Sequence, residues 1–336
     1  MAHATPKAWD SEILPGGGRV SGFRVARYRL TLEARDPISL PPYMANTLRG
    51  GFGAAFKHLV CVYRPPQPCD PCLLRHTCPY GALFETARPP DSPGLRRDTD
   101  IPRPFVLEPP LDSKTRYEPG EVLEVGLVLV GRAIGYLPYF LVAFQELGRA
   151  GLGATRGKFT VKDVHAVNAL TGQEVLLYAE GKGVVADPDM GVGLAEAETT
   201  AASLAAADEI TLRFLSPTRL LDNNRLVAKP EFLVLVRALV RRISSLAAFY
   251  CGDRSRLDLR PVVEAASRVT VARSNLRWWD WQRYSARQRT QMKLGGFVGE
   301  VTYRGPLQAF LPLLLLGTIT HVGKACTFGH GRYELI

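Results

Sequence analysis

The sequence lacks any apolar run that could cross a membrane. Its most leucine-rich stretch, residues 311–316, is far shorter than the roughly 18 residues that a membrane span needs. Residues 1–18 also lack the apolar centre of a secretory signal, and their proline and glycine content is typical of a flexible segment. We therefore expect a cytoplasmic protein with no membrane partner.

Acidic residues are scarce in one part of the chain. The chain carries 42 Lys and Arg against 32 Asp and Glu, a net charge of +10, and residues 273–293 contain a single acid, Asp280. An evenly basic chain would indicate only a basic soluble enzyme, whereas concentrated charge favours an acidic partner, most commonly nucleic acid. The cations of this stretch are Arg273, Arg277, Arg283, Arg287, Arg289 and Lys293.

The chain is too long, at 336 residues, for most single hydrophobic cores, and its 46% apolar content favours folded domains. Alternating apolar residues predict strands, whereas apolar residues at helical spacing predict helices. The predicted strands are 23–32, 122–130, 159–167, 209–214, 262–273, 297–304 and 331–336, with 105–108 or 113–118 as a further candidate. The predicted helices are 43–60, 134–147, 230–250 and 307–316.

The order of these elements predicts the fold. The second half follows the order β-α-β-β-α-β of a ferredoxin-like domain, and the first half fits the same plan. We predict an α+β protein of tandem ferredoxin-like domains with a cysteine-rich zinc-binding insertion in the first. The predicted divisions are a flexible segment 1–20, a first domain 21–180 with the insertion 61–85 and a proline-rich loop 86–120, a linker 181–207, and a second domain 208–336.

Two glycine-rich loops, residues 148–158 and 323–332, each lie between a predicted helix and a predicted strand, which indicates a duplicated module. Glycine allows a close approach of backbone to a ligand, and neighbouring cations would meet phosphate. Such a loop also occurs where the chain merely turns tightly, so the pattern alone leaves both interpretations open.

Four of the six cysteines, Cys61, Cys69, Cys72 and Cys78, fall within 18 residues. Thiolates are ligands that zinc prefers, and a structural zinc site takes four ligands in a tetrahedron. A disulfide is disfavoured in a reducing cytoplasm. An iron–sulfur cluster also uses four cysteines, so zinc is our first interpretation and the cluster stays open.

The most specific residues lie near the C-terminus. They are the stretches 283–288 (Arg-Tyr-Ser-Ala-Arg-Gln), 292–299 (Met-Lys-Leu-Gly-Gly-Phe-Val-Gly), 321–324 (His-Val-Gly-Lys) and 327–331 (Thr-Phe-Gly-His-Gly). With the cysteine insertion and residues 79–85, they resemble the CRISPR precursor-RNA processing endoribonucleases of the RAMP superfamily. The resemblance extends from about residue 23 to the end.

The resemblance implies an enzyme that binds CRISPR repeat RNA and cuts precursor crRNA without a catalytic metal. The 2′-hydroxyl attacks the adjacent phosphate, giving a cyclic phosphate and a 5′-hydroxyl. This chemistry needs a base, an acid and a cation near the phosphorane. Known members often carry a catalytic histidine on the first helix, which here offers Tyr43, Asn46, Arg49, Lys57 and, near its end, His58. For His58, burial beside the cysteine loop and catalysis stay equally open. Our leading candidate is His321, beside Lys324; a structural histidine bonded to loop carbonyls is the other reading.

Cations and loop residues are the candidates for RNA contact. The segment 278–284 mixes tryptophans with cations, and aromatic rings can stack on bases while arginine binds phosphate. We predict RNA contacts for Arg49, Arg156, Lys158, Arg283, Arg287, Lys293, Gly323, Gly329, His330, Gly331 and Arg332.

Two other functions remain open at this stage. One is a RAMP subunit that holds crRNA in an effector complex without cutting it, and the other is a zinc-stabilised interaction module that binds no RNA. The partners that the first two readings imply are crRNA and other CRISPR effector subunits.

Overall fold

The structure, a computed structural model, describes residues 12–14, 18–19, 22–63, 68–86, 101–112, 114–204, 208–252, 260–280, 282–285, 290–293 and 295–336. Within them the chain forms two compact units. The first unit comprises 26–191 together with 325–330, and the second comprises 1–25, 192–324 and 331–336. No helix of the described residues has the length and apolar character that crossing a membrane requires.

The described residues form strands of two to eleven residues. In chain order they are β1 (Glu12–Leu14), β2 (Gly18–Arg19), β3 (Arg24–Ala34), β4 (Ile38–Ser39), β5 (Phe105–Glu108), β6 (Arg116–Tyr117), β7 (Val122–Val130), β8 (Phe159–Val167), β9 (Glu174–Ala179), β10 (Gly183–Val184), β11 (Val192–Gly193), β12 (Glu209–Thr218), β13 (Leu220–Asp222), β14 (Arg225–Val227), β15 (Thr270–Trp279), β16 (Gln282–Ser285), β17 (Thr290–Lys293), β18 (Gly296–Arg304) and β19 (Tyr333–Leu335).

The helices that pack on these strands are α1 (Ala45–Val60), α2 (Pro79–Phe84), α3 (Leu137–Ala150), α4 (Leu194–Ser203), α5 (Phe232–Tyr250), α6 (Arg260–Ala266) and α7 (Leu311–Thr320). Short 3-10 turns (Gly131–Tyr136, Gln308–Phe310 and Cys326–Phe328) precede α3 and α7 and occupy the last glycine-rich loop.

The first unit has the order β3-α1-β5-β7-α3-β8, and its central strands lie in the order β8-β3-β7-β5, with β9 and β10 added beside β8. This is the strand order of a ferredoxin-like domain. The core strand β7 changes from alternating to continuous burial along its length, because its second half is covered on both faces. Phenylalanines of α1, α3 and β5 stack in the core.

The second unit repeats this plan with β12-α5-β15-β18-α7-β19 and the strand order β15-β18-β12-β19. Helix α7 is apolar almost all round, which fits its nearly complete burial. The tandem ferredoxin-like prediction is confirmed by the architecture.

Two sequence predictions differ from the structure. The predicted linker 181–207 contains β10, β11 and α4, and α4 begins with Glu196 accepting a hydrogen bond from the Gly193 amide at 2.9 Å, a capping interaction. The predicted strand 262–273 is divided between α6 and β15, because Pro261 lies in the first turn of α6 and Val262 and Ala266 bury one helical face. Most of the predicted segment 1–20 lies outside the described residues, as do 87–100 and 113 of the predicted proline-rich loop 86–120. The described part of that loop contains the buried strand β5, at the candidate strand position 105–108, and the short strand β6.

Candidate functional site

The first unit contains an open groove between α1, the end of α3 and the loop that follows α3. Its volume is about 650 Å³. Its lining residues are Thr47, Gly51, Ala54, Ala55, Lys57, His58, Glu146, Leu147, Ala150, Gly151, Leu152, Gly153 and Arg156.

Two sets of residues at helical spacing mark the buried face and the groove face of helix α1. Leu48, Phe52 and Phe56 recur at intervals of four and are fully buried in the core. The groove residues Thr47, Gly51, Ala54 and His58 recur at intervals of three or four on a different face. His58 is therefore exposed in the last turn of α1, where the sequence left burial and catalysis equally open.

A glycine on α1 allows this helix to pack closely on α3 beside the groove. A Cβ atom at Gly51 would come within 2.9 Å of Leu147 Cδ1 on α3, so the two helices approach closely at this glycine. This close packing explains a glycine inside a helix, where it would otherwise be unfavourable by roughly 1 kcal/mol relative to alanine.

The first glycine-rich loop forms one wall of the groove and is held by backbone contacts. Leu152 and Gly157 exchange amide hydrogen bonds of 2.9 and 3.1 Å, and the Ala154 amide donates to the Ser39 carbonyl at 3.1 Å. A Cβ at Gly151 or Gly153 would overlap a backbone carbonyl oxygen, and both residues have positive φ. The loop is therefore a rigid support that presents Arg156, itself at φ 50°, to solvent.

The charge of the groove is positive. Lys57, His58 and Arg156 line it, and its one carboxylate, Glu146, is paired with Arg149. Of the predicted RNA-binding residues of this loop, Arg156 lines the groove, whereas Lys158 is exposed beyond it and anchors its amide on Asp36 Oδ2 at 3.2 Å. An open, cationic groove with an imidazole on its wall can bind a phosphodiester and move a proton.

His321 lies in the second unit and has a different environment. It follows α7 directly, its side chain is 0% exposed, and its backbone adopts φ 62° and ψ 174°. Helix α7 extends to Thr320, four residues beyond its predicted end, and this places His321 in the buried helix terminus. Lys324 is exposed nearby in sequence, and its amide donates to the Arg219 carbonyl at 3.0 Å.

The glycines of the second loop allow tight backbone packing. A Cβ at Gly323 would overlap the Arg219 carbonyl oxygen, and one at Gly331 would overlap the Val322 carbonyl oxygen. The Gly331 amide donates to the Pro217 carbonyl at 3.1 Å, and the Arg332 amide to Ser216 Oγ at 2.9 Å. The structure thus gives Gly323, Gly331 and half-buried Arg332 a backbone role in the turn, the alternative that the sequence left open.

Tyr43 and His330 lie together in the first unit. Their rings meet edge to face with centroids 5.5 Å apart, and the Tyr43 hydroxyl donates to the Phe328 carbonyl at 3.3 Å. His330 is fully buried, and burial raises the pKa of Tyr43 well above its usual range. Gly329 packs its backbone against Leu107 and Pro109. These contacts hold residues 325–330 against the rest of the first unit.

Arg49 is surrounded by aromatic rings. Its guanidinium carbon lies 4.5 Å from the centre of the Phe84 ring, 5.4 Å from Phe105 and 5.6 Å from Phe328. Such cation–π packing supports a structural role for a residue that we predicted to bind RNA.

The basic stretch 273–293 forms a β-ribbon. Strand β15 pairs with β18 up to Trp279 and Gly296, and β16 pairs with β17 through Arg283 opposite Met292 and Gln282 opposite Lys293. The structure describes Arg283 and Lys293 by the positions of their backbones in the paired strands. Arg287 lies outside the described residues. Trp278 is 37% exposed and donates its indole N–H to Asp280 at 2.8 Å.

The four clustered cysteines line a second, small cavity of about 20 Å³ in the first unit. All six cysteines lie in described parts of the chain and carry thiols. Burial raises the pKa of Cys69, the nearby thiols of Cys78 and Cys61 raise it further, and Lys57 opposes them. Among the described residues no group of three or more His, Cys, Asp or Glu side chains is placed so that it could hold a metal ion, so the four thiols line the cavity without converging on one point.

Sequence reasoning missed two polar groove residues, Thr47 and Glu146, as members of the site, and gave Lys57 no specific role. The stripe of Thr47, Gly51, Ala54 and His58 at helical spacing was the available signal, since it marks a second face of α1.

Comparisons with known proteins agree with this architecture. A family model of an N-terminal domain, AF_1859_N, matches residues 23–190, which is half of the chain. A second model, described as CRISPR-associated endoribonuclease Cas6, matches residues 212–333. Residues 212–333 belong to the Cas6 family. The RAMP resemblance seen in the sequence is thereby confirmed.

Solved Cas6 structures share the fold. A Cas6 product complex superposes with a TM-score of 0.55 at 18% identity, covering 93% of this chain and 99% of that one. Thermus thermophilus Cas6 gives 0.52 at 16%, covering 94% and 99%. A partial Cas6-RT-Cas1–Cas2 complex gives 0.56 at 14%, covering 97% of this chain and 47% of that one.

An uncharacterised protein of Archaeoglobus fulgidus is 33% identical over 137 residues, which are 40% of this chain and 44% of that protein. The match therefore spans less than half of the length of that relative.

Proposed function

We propose that this chain is an endoribonuclease that binds CRISPR repeat RNA and cuts precursor crRNA. The observation that carries the proposal is the exposed His58 in a cationic groove of a chain whose residues 212–333 belong to the Cas6 family. The family model that matches residues 212–333 is described as an endoribonuclease, which supports RNA as the substrate.

The proposed reaction needs no metal ion at the scissile phosphate. The ribose 2′-hydroxyl attacks the adjacent phosphorus, the 2′-O–P bond forms, and the bond from phosphorus to the 5′-oxygen breaks. His58 accepts the proton of the 2′-hydroxyl, and the leaving oxygen takes a proton from solvent, which the open groove admits, to become a 5′-hydroxyl. Lys57 and Arg156 stabilise the extra negative charge of the phosphorane.

The two candidate histidines differ in exposure, and this decides which one we propose as the general base. A general base must reach the hydroxyl that it deprotonates, and His58 is exposed on the groove whereas His321 is fully buried at a helix end. We therefore place His58 first and assign His321 and Tyr43 to the scaffold of their units. Lys324 stays a candidate for phosphate contact because its side chain is exposed.

The ribbon formed by β16 and β17 is the proposed clamp for the RNA. It carries Arg283 and Lys293 on paired strands, and Arg287 lies in the sequence between those strands. Unpaired cations are costly to bury, so basic residues in such number favour contact with phosphates. Other CRISPR proteins in the cytoplasm are the proposed recipients of the product, since the neighbours include a Cas6-RT-Cas1–Cas2 complex.

The test uses a labelled hairpin repeat RNA and a matched RNA with a single 2′-deoxy nucleotide at the cut position. We expect cleavage of the first in EDTA with a cyclic phosphate at the new end, and no cleavage of the second. Cleavage of the deoxy substrate at the same bond would contradict the 2′-hydroxyl mechanism.

A second candidate is an RNA-holding subunit without nuclease activity. It is favoured by one observation: His58 is the one group lining the groove that ordinarily titrates near neutral pH, so a separate general acid is not evident there. Tight hairpin binding without cleavage would support it. Absence of any salt-dependent RNA binding would instead support a module that recognises no RNA.

A further inference from the structure

The four-cysteine cavity and the groove share a wall. Lys57 lines both, and His58 is the next residue of α1. Cys61 is the residue that follows α1, and it donates its amide to the Lys57 carbonyl at 2.9 Å, so its backbone continues the last turn of the helix, which carries His58.

The other three cysteines are held on a compact turn that packs on α2. The Cys72 amide donates to the Cys69 carbonyl at 3.1 Å, and Cys78 directly precedes α2, accepting from the Ala82 amide at 2.9 Å. A Cβ at Gly81 would overlap the Arg75 carbonyl oxygen, so the turn lies directly against the helix. A ligand in the cavity would tie the end of α1 to the start of α2.

Helix α2 in turn packs on α1. The Tyr80 and Phe84 rings stack 4.6 Å apart, Phe84 lies 5.2 Å from Phe56, and Lys57 Nζ lies 5.4 Å from the centre of the Tyr80 ring. The apolar stacking fixes the buried face of α1, whereas its last turn is connected to α2 through the cysteine segment.

The charge around the cavity points to a metal bound as a thiolate complex. Its lining includes two cations, Lys57 and Arg75, and no carboxylate. A divalent ion with four thiolates has a net charge of −2, which these two cations would balance. A bare dication bound by neutral groups would be repelled by them.

The size of the cavity favours one ion. A volume of about 20 Å³ exceeds the roughly 10–15 Å³ that one water-sized probe requires, whereas an iron–sulfur cluster contains several metal and sulfide atoms. All four cysteines line this one small cavity, and each has a single side-chain torsion before its sulfur, so binding an ion requires their thiols to turn inward from the positions in this structure.

We propose that Cys61, Cys69, Cys72 and Cys78 bind one zinc ion that holds the last turn of α1 in place and thereby positions His58 in the groove. The zinc takes no part in the reaction. The positioning role rests on the proposed function, whereas the existence of the site does not.

The existence of the site is tested on the full chain by metal analysis. We expect one zinc per chain in the wild type and in Cys251→Ser, a matched variant of a partly buried cysteine outside the cluster, and a loss of at least tenfold in Cys69→Ser/Cys72→Ser. Cobalt(II) in place of zinc should give thiolate-to-cobalt absorption. Folded wild-type protein without zinc, or one that contains iron and labile sulfide, would overturn the proposal.

If the double variant fails to fold, the wild type still decides the matter. A mercurial that blocks the thiols should release one zinc per chain and lower the Tm by about 10 °C, since a structural zinc contributes several kcal/mol and each is worth a few degrees. Zinc release with no change in Tm would overturn a structural role.

The positioning role needs a readout that misfolding alone would not change. On the folded fraction of the double variant, we expect the single-turnover cleavage rate at saturating protein to fall at least tenfold while the Kd for hairpin RNA changes less than threefold. A wild-type cleavage rate without zinc would overturn the positioning role. If neither form cuts RNA, the proposed function fails while the zinc measurement stands.

Discussion

The conformation of His321 allows a sharp test of its role. Its φ of 62° and ψ of 174° lie in a region that is essentially restricted to glycine and costs about 1–3 kcal/mol for other residues. The matching residue of the first unit, which directly follows α3, is Gly151 with φ 85° and ψ 149°. The repeat therefore has a glycine where the second unit has a strained histidine.

The perturbation is a pair of substitutions, His321→Gly and His321→Ala. Both remove the same buried imidazole ring, so the cost of the empty space is nearly equal. Glycine also relieves the strain of about 1–3 kcal/mol, against which its greater freedom in the unfolded chain costs about 0.5–1 kcal/mol. We expect the glycine variant to be more stable than the alanine variant by roughly 0.5–2 kcal/mol, or a few degrees in Tm.

Thr318 on the same helix is the matched control. It lies in regular α-helix, so Thr318→Gly should be less stable than Thr318→Ala by about 1 kcal/mol, the reverse order. Thermal unfolding by circular dichroism measures all four variants. If His321→Gly were the less stable of its pair, the backbone at this position would not be strained and the structural account of His321 would be refuted.

Two further predictions concern charge. Arg283→Ala and Lys293→Ala should each reduce the slope of log K for hairpin RNA against log salt by about 0.7–0.9, as the loss of one phosphate contact requires, whereas Arg237→Ala on α5 should leave it unchanged. Burial, followed by the charges of Asp187 and Asp189, raises the pKa of Tyr28 to about 12. Because the folded state favours the neutral phenol, this stabilisation is present below pH 10 and is lost between pH 10 and 12, by about 2–3 kcal/mol. Tyr28→Phe should flatten denaturant-measured stability over that range, and an unchanged pH profile would show that the phenol is not protected.

The fold could be predicted from the sequence because its helices and strands carry strong periodic patterns of apolar residues. The predicted strands at 122–130 and 159–167 coincide with β7 and β8, and the predicted helix 230–250 contains all of α5. The duplicated plan followed from element order alone. The boundary between the two units, at residues 191 and 192, lies inside the predicted linker 181–207, but helix α4 in that segment was not predicted, because alanine and glycine content says little about a short helix that is fixed by capping and packing.

The site was harder to predict from the sequence, because its residues depend on which face of each helix or strand is buried. The last four residues of α7, Gly-Thr-Ile-Thr, interrupt the apolar run 311–316 with residues of low helix propensity, so the sequence suggested a loop histidine where the structure has a buried one at the helix end. His58 follows a pattern that one sequence cannot assign to core or groove until α3 and its loop are placed beside α1.

The most direct test of the account is the single-turnover rate of hairpin RNA cleavage by the wild type and His58→Ala, with His165→Ala as a control histidine on β8. Removal of a general base typically costs 10²- to 10⁴-fold in rate. We predict a loss of that size for His58→Ala, with unchanged RNA affinity and zinc content, and a wild-type rate for the control. Cleavage by His58→Ala at the wild-type rate would contradict the assignment of the groove as the catalytic site.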